Sequence, residues 1–217
     1  MRPPPEREVL EAGVRELGID ASAAQIDALI RIVDELESAN AQFNLTAIRD
    51  RPGMLSKHLL DSLSLQPFLR GTRVADIGTG AGFPGLPLAV VNPGRRFALI
   101  EATGKKARFV AQTAERIAID NVEVVNVRAE RYRPPVLFDT VVARALASLA
   151  DFVAYAGHLC APHGRLLAMK GKRPDEEISH LPKSFRVLAV HCLHVRGLDG
   201  ERHLVEISRA GPKSSKS

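Results

Sequence analysis

The sequence predicts an α/β protein built on a doubly wound, mostly parallel sheet, with a helical N-terminal extension and an antiparallel end. Three observations carry this. From residue 73 onward, short apolar runs alternate with amphipathic ones, which is the texture of βαβ units with right-handed crossovers. The first apolar run is followed at once by a glycine-rich stretch, Gly78-Thr-Gly80-Ala-Gly82-Phe-Pro-Gly85, and then by another apolar run. A glycine-rich turn between the first strand and its helix is where such sheets bind a nucleotide. Finally, the last two strand candidates are joined by RGLDGE, 196–201, whose Asp-Gly pair reads as a hairpin turn.

Taken in order, residues 1–70 read as helical. The run from Ala21 to Asn44 places Ile26, Leu29, Ile30, Val33, Leu36 and Phe43 on one face at helical spacing, and that face is assigned to the core. Ser22 with Gln25 forms a capping-box pattern. A second helical run, 54–69, carries Leu55, Leu59 and Leu63 four apart, with His58 and Asp61 three apart and so sharing roughly one face. Strands are expected at 73–77, 97–101, 122–127, 137–143 and 164–170, and helices near 84–91, 104–118 and 148–160. Pro84 suits the first turn of its helix, where its missing N–H costs nothing. Strands at 185–195 and 202–209 close the chain. The expected organisation is a helical extension over 1–70, a catalytic domain over 71–210 and a short polar, disordered tail over 211–217.

Composition narrows the setting. At 217 residues with 45% hydrophobic content, the chain buries a sizeable core. It has no apolar run of the ~18 residues that a transmembrane helix needs. The N-terminus lacks the apolar core of an export signal. Cys160 and Cys192 stand in no metal or framework spacing, so neither a disulfide scaffold nor a metal site is expected, and a reduced, cytoplasmic setting fits. The net charge of +5 favours a polyanionic partner such as nucleic acid. With 5% aromatic residues and no Trp, a broad stacking platform for single strands is not supported.

The glycine stretch can be read in two registers. Gly80 to Gly85 fits the dinucleotide pattern G-x-G-x-x-G; Gly78, Gly80 and Gly82 fit the G-x-G-x-G of S-adenosylmethionine (SAM) enzymes. The strand ends at Ile77, so the second register starts at the turn itself, and it places Asp76 where a carboxylate can face the amino group of a methionine moiety. Glu101, at the end of the second strand, is suited to both ribose hydroxyls and fits either cofactor. A small NAD(P)-dependent reductase is the alternative. Against it, Tyr132 and Tyr155 lack a Y-x-x-x-K spacing and little chain is left for a substrate domain. A third reading is an RNA-binding module that keeps only the fold.

A resemblance separates these readings. FNLTAI (43–48), HLLDSL (58–63), DIGTGAGFPGLPLA (76–89), GKKARF (104–109), RAE (128–130), FDTVVARALASL (138–149), LAMKG (167–171) and DGERHLV (199–205) occur in this order. Together they closely resemble the bacterial ribosomal RNA small subunit methyltransferase G family, also called glucose-inhibited division protein B, from about residue 40 to 209. The resemblance implies a class I SAM-dependent methyltransferase, with a Rossmann-like seven-strand sheet whose last strands are antiparallel. It implies methyl transfer to N7 of one guanine in the 530 loop of 16S rRNA, next to the decoding centre. By position it implies that Gly78, Gly80 and Phe83 line the cofactor, that Glu101, Ala102 and Thr103 hold the ribose region, and that Ala129 and Glu130 flank the adenine. Arg144 would contact cofactor or target.

The chemistry agrees with a positioning mechanism. Guanine N7 carries an in-plane lone pair, so no proton need be removed before it attacks a sulfonium methyl group, and no catalytic base is assigned. Alignment alone can contribute up to about 7–11 kcal/mol. The chain has no NPPY-like loop after the fourth strand and no Pro-Cys nucleophile, which disfavours adenine-N6 and cytosine-C5 chemistry. N7 lies on the groove edge that folded RNA hides, so the target must be in a loop or flipped out. Candidate phosphate contacts are Lys105 and Lys106, Lys170, Lys172 and Arg173, and Arg202 with His203. Lys105 and Lys106 oppose the helix dipole, which weakens a purely structural reason for them. The expected partner is 16S rRNA or the small ribosomal subunit, met by a monomer without metal or membrane.

Overall fold

The computed structural model describes residues 5–144 and 148–210. The expected tail at 211–217 and residues 145–147 lie outside the described residues. The chain begins with two helices, α1 (Glu6–Glu16) and α2 (Ala23–Phe43). The capping box at α2 is formed: Gln25 N donates to Ser22 Oγ, and Ser22 N donates to Gln25 Oε1. Ile26, Leu29, Val33 and Leu36 are buried as the spacing required. Phe43 is not: it is 44% exposed, and its ring receives Lys105 Nζ at 4.1 Å from the centroid. The apolar stripe is therefore one residue shorter than the pattern suggests, because α2 runs past the edge of what it covers.

The segment expected as one helical run over 54–69 is broken. It consists of α3 (Arg51–Met54), a π-helical turn over Leu55–Leu60, α4 (Asp61–Leu63) and a 3₁₀ turn over Gln66–Phe68. Asp50 caps α3 by accepting from Gly53 N. A wider π turn changes which side chains share a face, and such turns recur at functional sites.

The sheet has seven strands: β1 (Arg73–Ile77), β2 (Arg96–Ile100), β3 (Val122–Val125), β4 (Phe138–Arg144), β5 (Cys160–Lys170), β6 (Phe185–Cys192) and β7 (His203–Arg209). Their spatial order is β3-β2-β1-β4-β5-β7-β6. All neighbours are parallel except β5–β7 and β6–β7, which are antiparallel. The hairpin expected at the end of the chain is present. Between the strands lie α5 (Gly85–Val91), α6 (Gly104–Arg116), α7 (Leu149–Ala156) and α8 (Asp175–Ser179). Two limits move. Helix α7 stops at Ala156, so β5 begins at Cys160, ahead of the expected 164. Pro84 stands just before α5 and not within it.

Alternation along the strands explains the layers. Val74, Leu99, Val142, Leu167 and Leu204 join a core shared with α2, α5 and the π segment. Their neighbours Ala75, Ile77, Ala98, Val141, Leu166 and Val205 join a second core with α7. Both faces are covered, which is why these strands read as continuous apolar runs. On β1 this alternation sends Asp76 toward the α5 side, into the interior, at 0% exposure.

Candidate functional site

The order of strands places the site. The chain winds from β1 through β2 to β3 on one side, then crosses to β4 on the other, so the crevice at the carboxyl ends of β1 and β4 is the switch point where such sheets bind ligands. The glycine turn leaves β1 there. Gly78 N donates to the Ile100 carbonyl at 2.8 Å, which ties the turn to β2. Gly78 has φ +64, and a Cβ built on it would meet nothing within 4 Å. Gly85 is the opposite case: a Cβ there would stand 2.0 Å from Leu99 Cδ2 and 2.8 Å from Asp76 Oδ2. Gly85 thus serves close approach of α5 to the sheet, and the overlapping dinucleotide register arises from that packing glycine. Gly78 borders open space.

Asp76 organises the turn from inside. Its Oδ2 accepts from Thr79 Oγ1 at 2.6 Å and from Gly85 N at 2.8 Å. Its Oδ1 is buried without a hydrogen-bond partner. Burial pushes this carboxyl up to about 6, against the pull of its two donors. A buried orphan oxygen beside an open glycine turn is the feature that a ligand's ammonium group would complete. Glu101, 7% exposed, joins β2 to the loop: Oε2 accepts from Gly80 N at 3.0 Å and Oε1 from Thr103 N at 2.8 Å. Asn126 Nδ2 donates to the Glu101 carbonyl at 2.7 Å. These two acids, the exposed Ala102 and Thr103, and the open side of Gly78 fit an amino-acid nucleoside such as SAM. Ala129, buried, and Glu130, exposed, lie in the 3₁₀ turn Ala129–Arg131 that follows β3.

The other wall of the crevice comes from the N-terminal extension. Phe83 is 2% exposed and stacks on His58, with centroids 4.7 Å apart and planes 20° apart. The Arg144 guanidinium, at the end of β4, lies 5.6 Å from the centre of the same ring. Its Nη1 donates to the Lys57 carbonyl at 3.0 Å and lies 3.4 Å from Asp61 Oδ2; its Nη2 donates to His58 Nδ1 at 3.3 Å. A guanidinium is never an acceptor, so His58 Nδ1 must be the lone-pair nitrogen. Nε2–H then donates to Thr46 Oγ1 at 2.9 Å. Burial, and then Arg144, lower His58 to about 4, so it is neutral. Burial also pulls Arg144 down, against Asp61 and Asp76.

Asp61 collects two cations. Arg202, at the start of β7, donates from Nε to Asp61 Oδ1 at 3.1 Å. Burial pushes the Asp61 carboxyl up, and Arg144 and Arg202 pull it back. Among the other residues singled out from sequence, Lys170 ends β5 and pairs with Glu177 at 2.7 Å; His203 faces Lys170 across the β5–β7 ladder. Arg173 pairs with Asp175, and Lys172 is exposed. Lys105 opens α6 but covers Phe43, a structural role that helix polarity alone does not predict. Thr46, the Lys57 carbonyl, Thr79 and Asn126 were not found from sequence. A backbone carbonyl leaves no mark in a side-chain pattern, and lone polar residues in loops carry no periodicity.

A glycine turn on β1, an acid closing β2 and antiparallel β7 inserted between β5 and β6 define a class: Rossmann-like SAM-dependent methyltransferases. Solved structures with this fold include a glycopeptide N-methyltransferase, MtfA, complexed with SAM (TM-score 0.61, 13% identity, 71% of this chain and 88% of that one). Another is TrmN from Thermus thermophilus (TM-score 0.55, 18% identity, 72% and 53%). Within that class the chain belongs to the GidB family, rRNA small subunit methyltransferase G, which it matches over residues 25–205. It is 46% identical over 205 residues to the ribosomal RNA small subunit methyltransferase G of Nitrosococcus oceani, covering 94% of this chain and 96% of that protein. It is 45% identical over 206 residues to that of Pseudomonas syringae pv. syringae, covering 95% and 96%. It is an enzyme that methylates rRNA with SAM as methyl donor, and the reductase alternative falls away. Among the described residues no helix is long and apolar enough to cross a membrane, and no group of three or more His, Cys, Asp or Glu could hold a metal ion.

Proposed function

We propose that this chain methylates N7 of a single guanine in the 530 loop of 16S rRNA, with the rRNA or the small subunit as partner. The observation that carries the choice of atom is Arg144. At the end of β4, where an enzyme that must deprotonate its target would want a base, this chain sets a guanidinium against Phe83. The nearest imidazole, His58, has both nitrogens committed to Arg144 and Thr46. Such a site suits a nucleophile that already owns a lone pair, as guanine N7 does.

When bound, SAM supplies an electrophilic sulfonium methyl group. The chain's own work is placement. Gly78 and Gly80 would let the backbone approach the ligand, and Glu101, whose two oxygens accept from Gly80 N and Thr103 N, would use its remaining lone pairs to accept from the ribose hydroxyls. Asp76 Oδ1, buried without a partner, would take the ammonium group, and Ala102, Thr103, Ala129 and Glu130 would border the nucleoside. Phe83 forms the apolar wall behind the reacting group and excludes water. Arg144 is suited to donate to a guanine O6, leaving the adjacent N7 free to attack. Lys170, Lys172, Arg173 and Arg202 lie at or just beyond the ends of β5 and β7, on the approach that RNA phosphates would take. Lys105 and Lys106 offer a second approach at the start of α6.

The test is transfer of radiolabelled methyl from SAM to small subunits and to naked 16S rRNA from cells lacking this modification. Mass spectrometry should then place the label on one guanine N7 in the 530 loop. Label on another base, or none in any assembly state of the subunit, refutes the assignment.

A further inference from the structure

We propose that Asp61 is a positioning residue for methyl transfer: its carboxylate holds Arg144 and Arg202 together beside Phe83 and offsets their charge. The inference rests on the reading of Arg144 as a group that meets the target guanine. Two guanidiniums from distant parts of the chain, Arg144 at the end of β4 and Arg202 just before β7, reach the two oxygens of one carboxylate, at 3.4 and 3.1 Å. The Asp61 side chain is only 4% exposed, so solvent contributes little to the balance. Left alone, two cations this close would repel and turn outward.

Asp61 is supplied by neither the sheet nor the glycine loop. It follows the π-helical turn Leu55–Leu60 of the N-terminal extension, and that turn brings three groups to Arg144 at once: the Lys57 carbonyl, His58 Nδ1 and Asp61 Oδ2. His58 is itself anchored through Thr46, whose N–H donates to Asn40 Oδ1 on α2. A continuous chain, Asn40–Thr46–His58–Arg144–Asp61–Arg202, therefore runs from α2 across the crevice to β7. The orientation of Arg144 is set almost entirely by the extension.

Charge makes the role more specific. Alkylation at N7 makes the guanine ring cationic, and positive charge grows on it in the transition state. A pair of uncompensated guanidiniums beside that ring would oppose the reaction, whereas the same pair bridged by a carboxylate presents one net positive charge. Interactions that change between ground and transition state act on kcat. Binding of RNA phosphates depends on total positive charge and does not weaken when an acid is removed.

The test is steady-state methylation of unmodified small subunits with Asp61→Asn. The expected result is kcat lower by roughly 10- to 100-fold, the scale of a small misplacement at a reacting centre. KM for the subunit should stay unchanged or fall, and SAM affinity should stay within twofold of wild type. Asp61→Glu, which keeps the charge, should recover much of the loss. Asp61→Asn with kcat within twofold of wild type overturns the proposal, as does a rise in KM with kcat intact. Should Asp61→Asn fold poorly, Asp61→Asn/Arg202→Gln removes one stranded cation. Its kcat should lie at least tenfold below that of Arg202→Gln alone with SAM affinity retained; equal kcat values overturn the proposal. Wild-type protein that methylates no rRNA would sink the underlying functional reading instead, so the two failures are distinct.

Discussion

Gly85→Ala should cost stability, and Gly78→Ala should cost cofactor binding, although the two glycines stand only seven residues apart, at the two ends of one turn. The methyl carbon added at position 85 would be placed 2.0 Å from Leu99 Cδ2, where carbon atoms need about 3.5–4.0 Å. Leu99 is 0% exposed and has no room to give. Overpacking of this kind costs about 1–3 kcal/mol. Moving α5 away also weakens the Gly85 N–H to Asp76 hydrogen bond, which as a bond to a charged group is worth about 1.5–3 kcal/mol. The two effects together cost roughly 2.5–6 kcal/mol. A chain of this size loses about 2–4 °C per kcal/mol, so the melting temperature should fall by about 5–24 °C. At Gly78 no atom stands in the way, and the cost is that of a side chain at φ +64, about 1–2 kcal/mol, or about 2–8 °C. Its new methyl enters the open space that the proposed site gives to the ligand. Calorimetric melts and SAM titrations of both variants decide the matter. Gly85→Ala melting within about 2–3 °C of wild type would refute the packing argument, and wild-type SAM affinity in Gly78→Ala would refute the assignment of the open face.

Three further outcomes follow from the site. In the proposed site Asp76 receives the ammonium group only when ionised, and burial pushes its carboxyl up to about 6. SAM affinity should therefore be full above that pH and fall about tenfold per unit below it; Asp76→Asn should bind weakly with no such slope, and a parallel decline in wild type and variant would contradict this. His58 is depressed from 6.5 to about 4, so its neutral state supports the fold above pH 6.5 and that support is lost as pH falls toward 4. At about 1.36 kcal/mol per pH unit the loss is about 3 kcal/mol. Asp76, raised from 3.8, works in the opposite sense, its penalty easing as pH falls through about 6. The stability deficit of His58→Gln relative to wild type, measured by urea unfolding, should thus shrink by about 3 kcal/mol between about pH 7 and 4; a constant deficit would show that His58 does not titrate as described. Arg202→Gln should reduce the slope of log affinity for RNA against log salt by about 1 without altering SAM binding. An unchanged slope would remove Arg202 from the phosphate-binding set.

The layers of this protein were legible along the chain. Short apolar runs, helical period and the Asp-Gly hairpin are local properties, and every strand from Arg73 to Arg209 lies where those runs and the turn residues put it, within a few residues at the ends. The glycine register was legible for the same reason: Ile77 ends a strand, so Gly78 begins the turn. The order of the blocks from FNLTAI (43–48) to DGERHLV (199–205) carried the family. How distant segments meet was settled by packing alone. Whether Gly85 or Gly78 faces open space depends on Leu99, which belongs to the next strand. That Phe43 lies outside the core, and that Lys105 covers it, depends on where α2 ends relative to α6. His58 and Asp61 could be placed on roughly one face from their spacing, but their partners Phe83, Arg144 and Arg202 are 25 to 141 residues away. Hydrogen bonds and ion pairs of this range leave no periodic signature, because each depends on the relative placement of whole elements. The π turn Leu55–Leu60 carries His58 and leads into Asp61, and both meet Arg144.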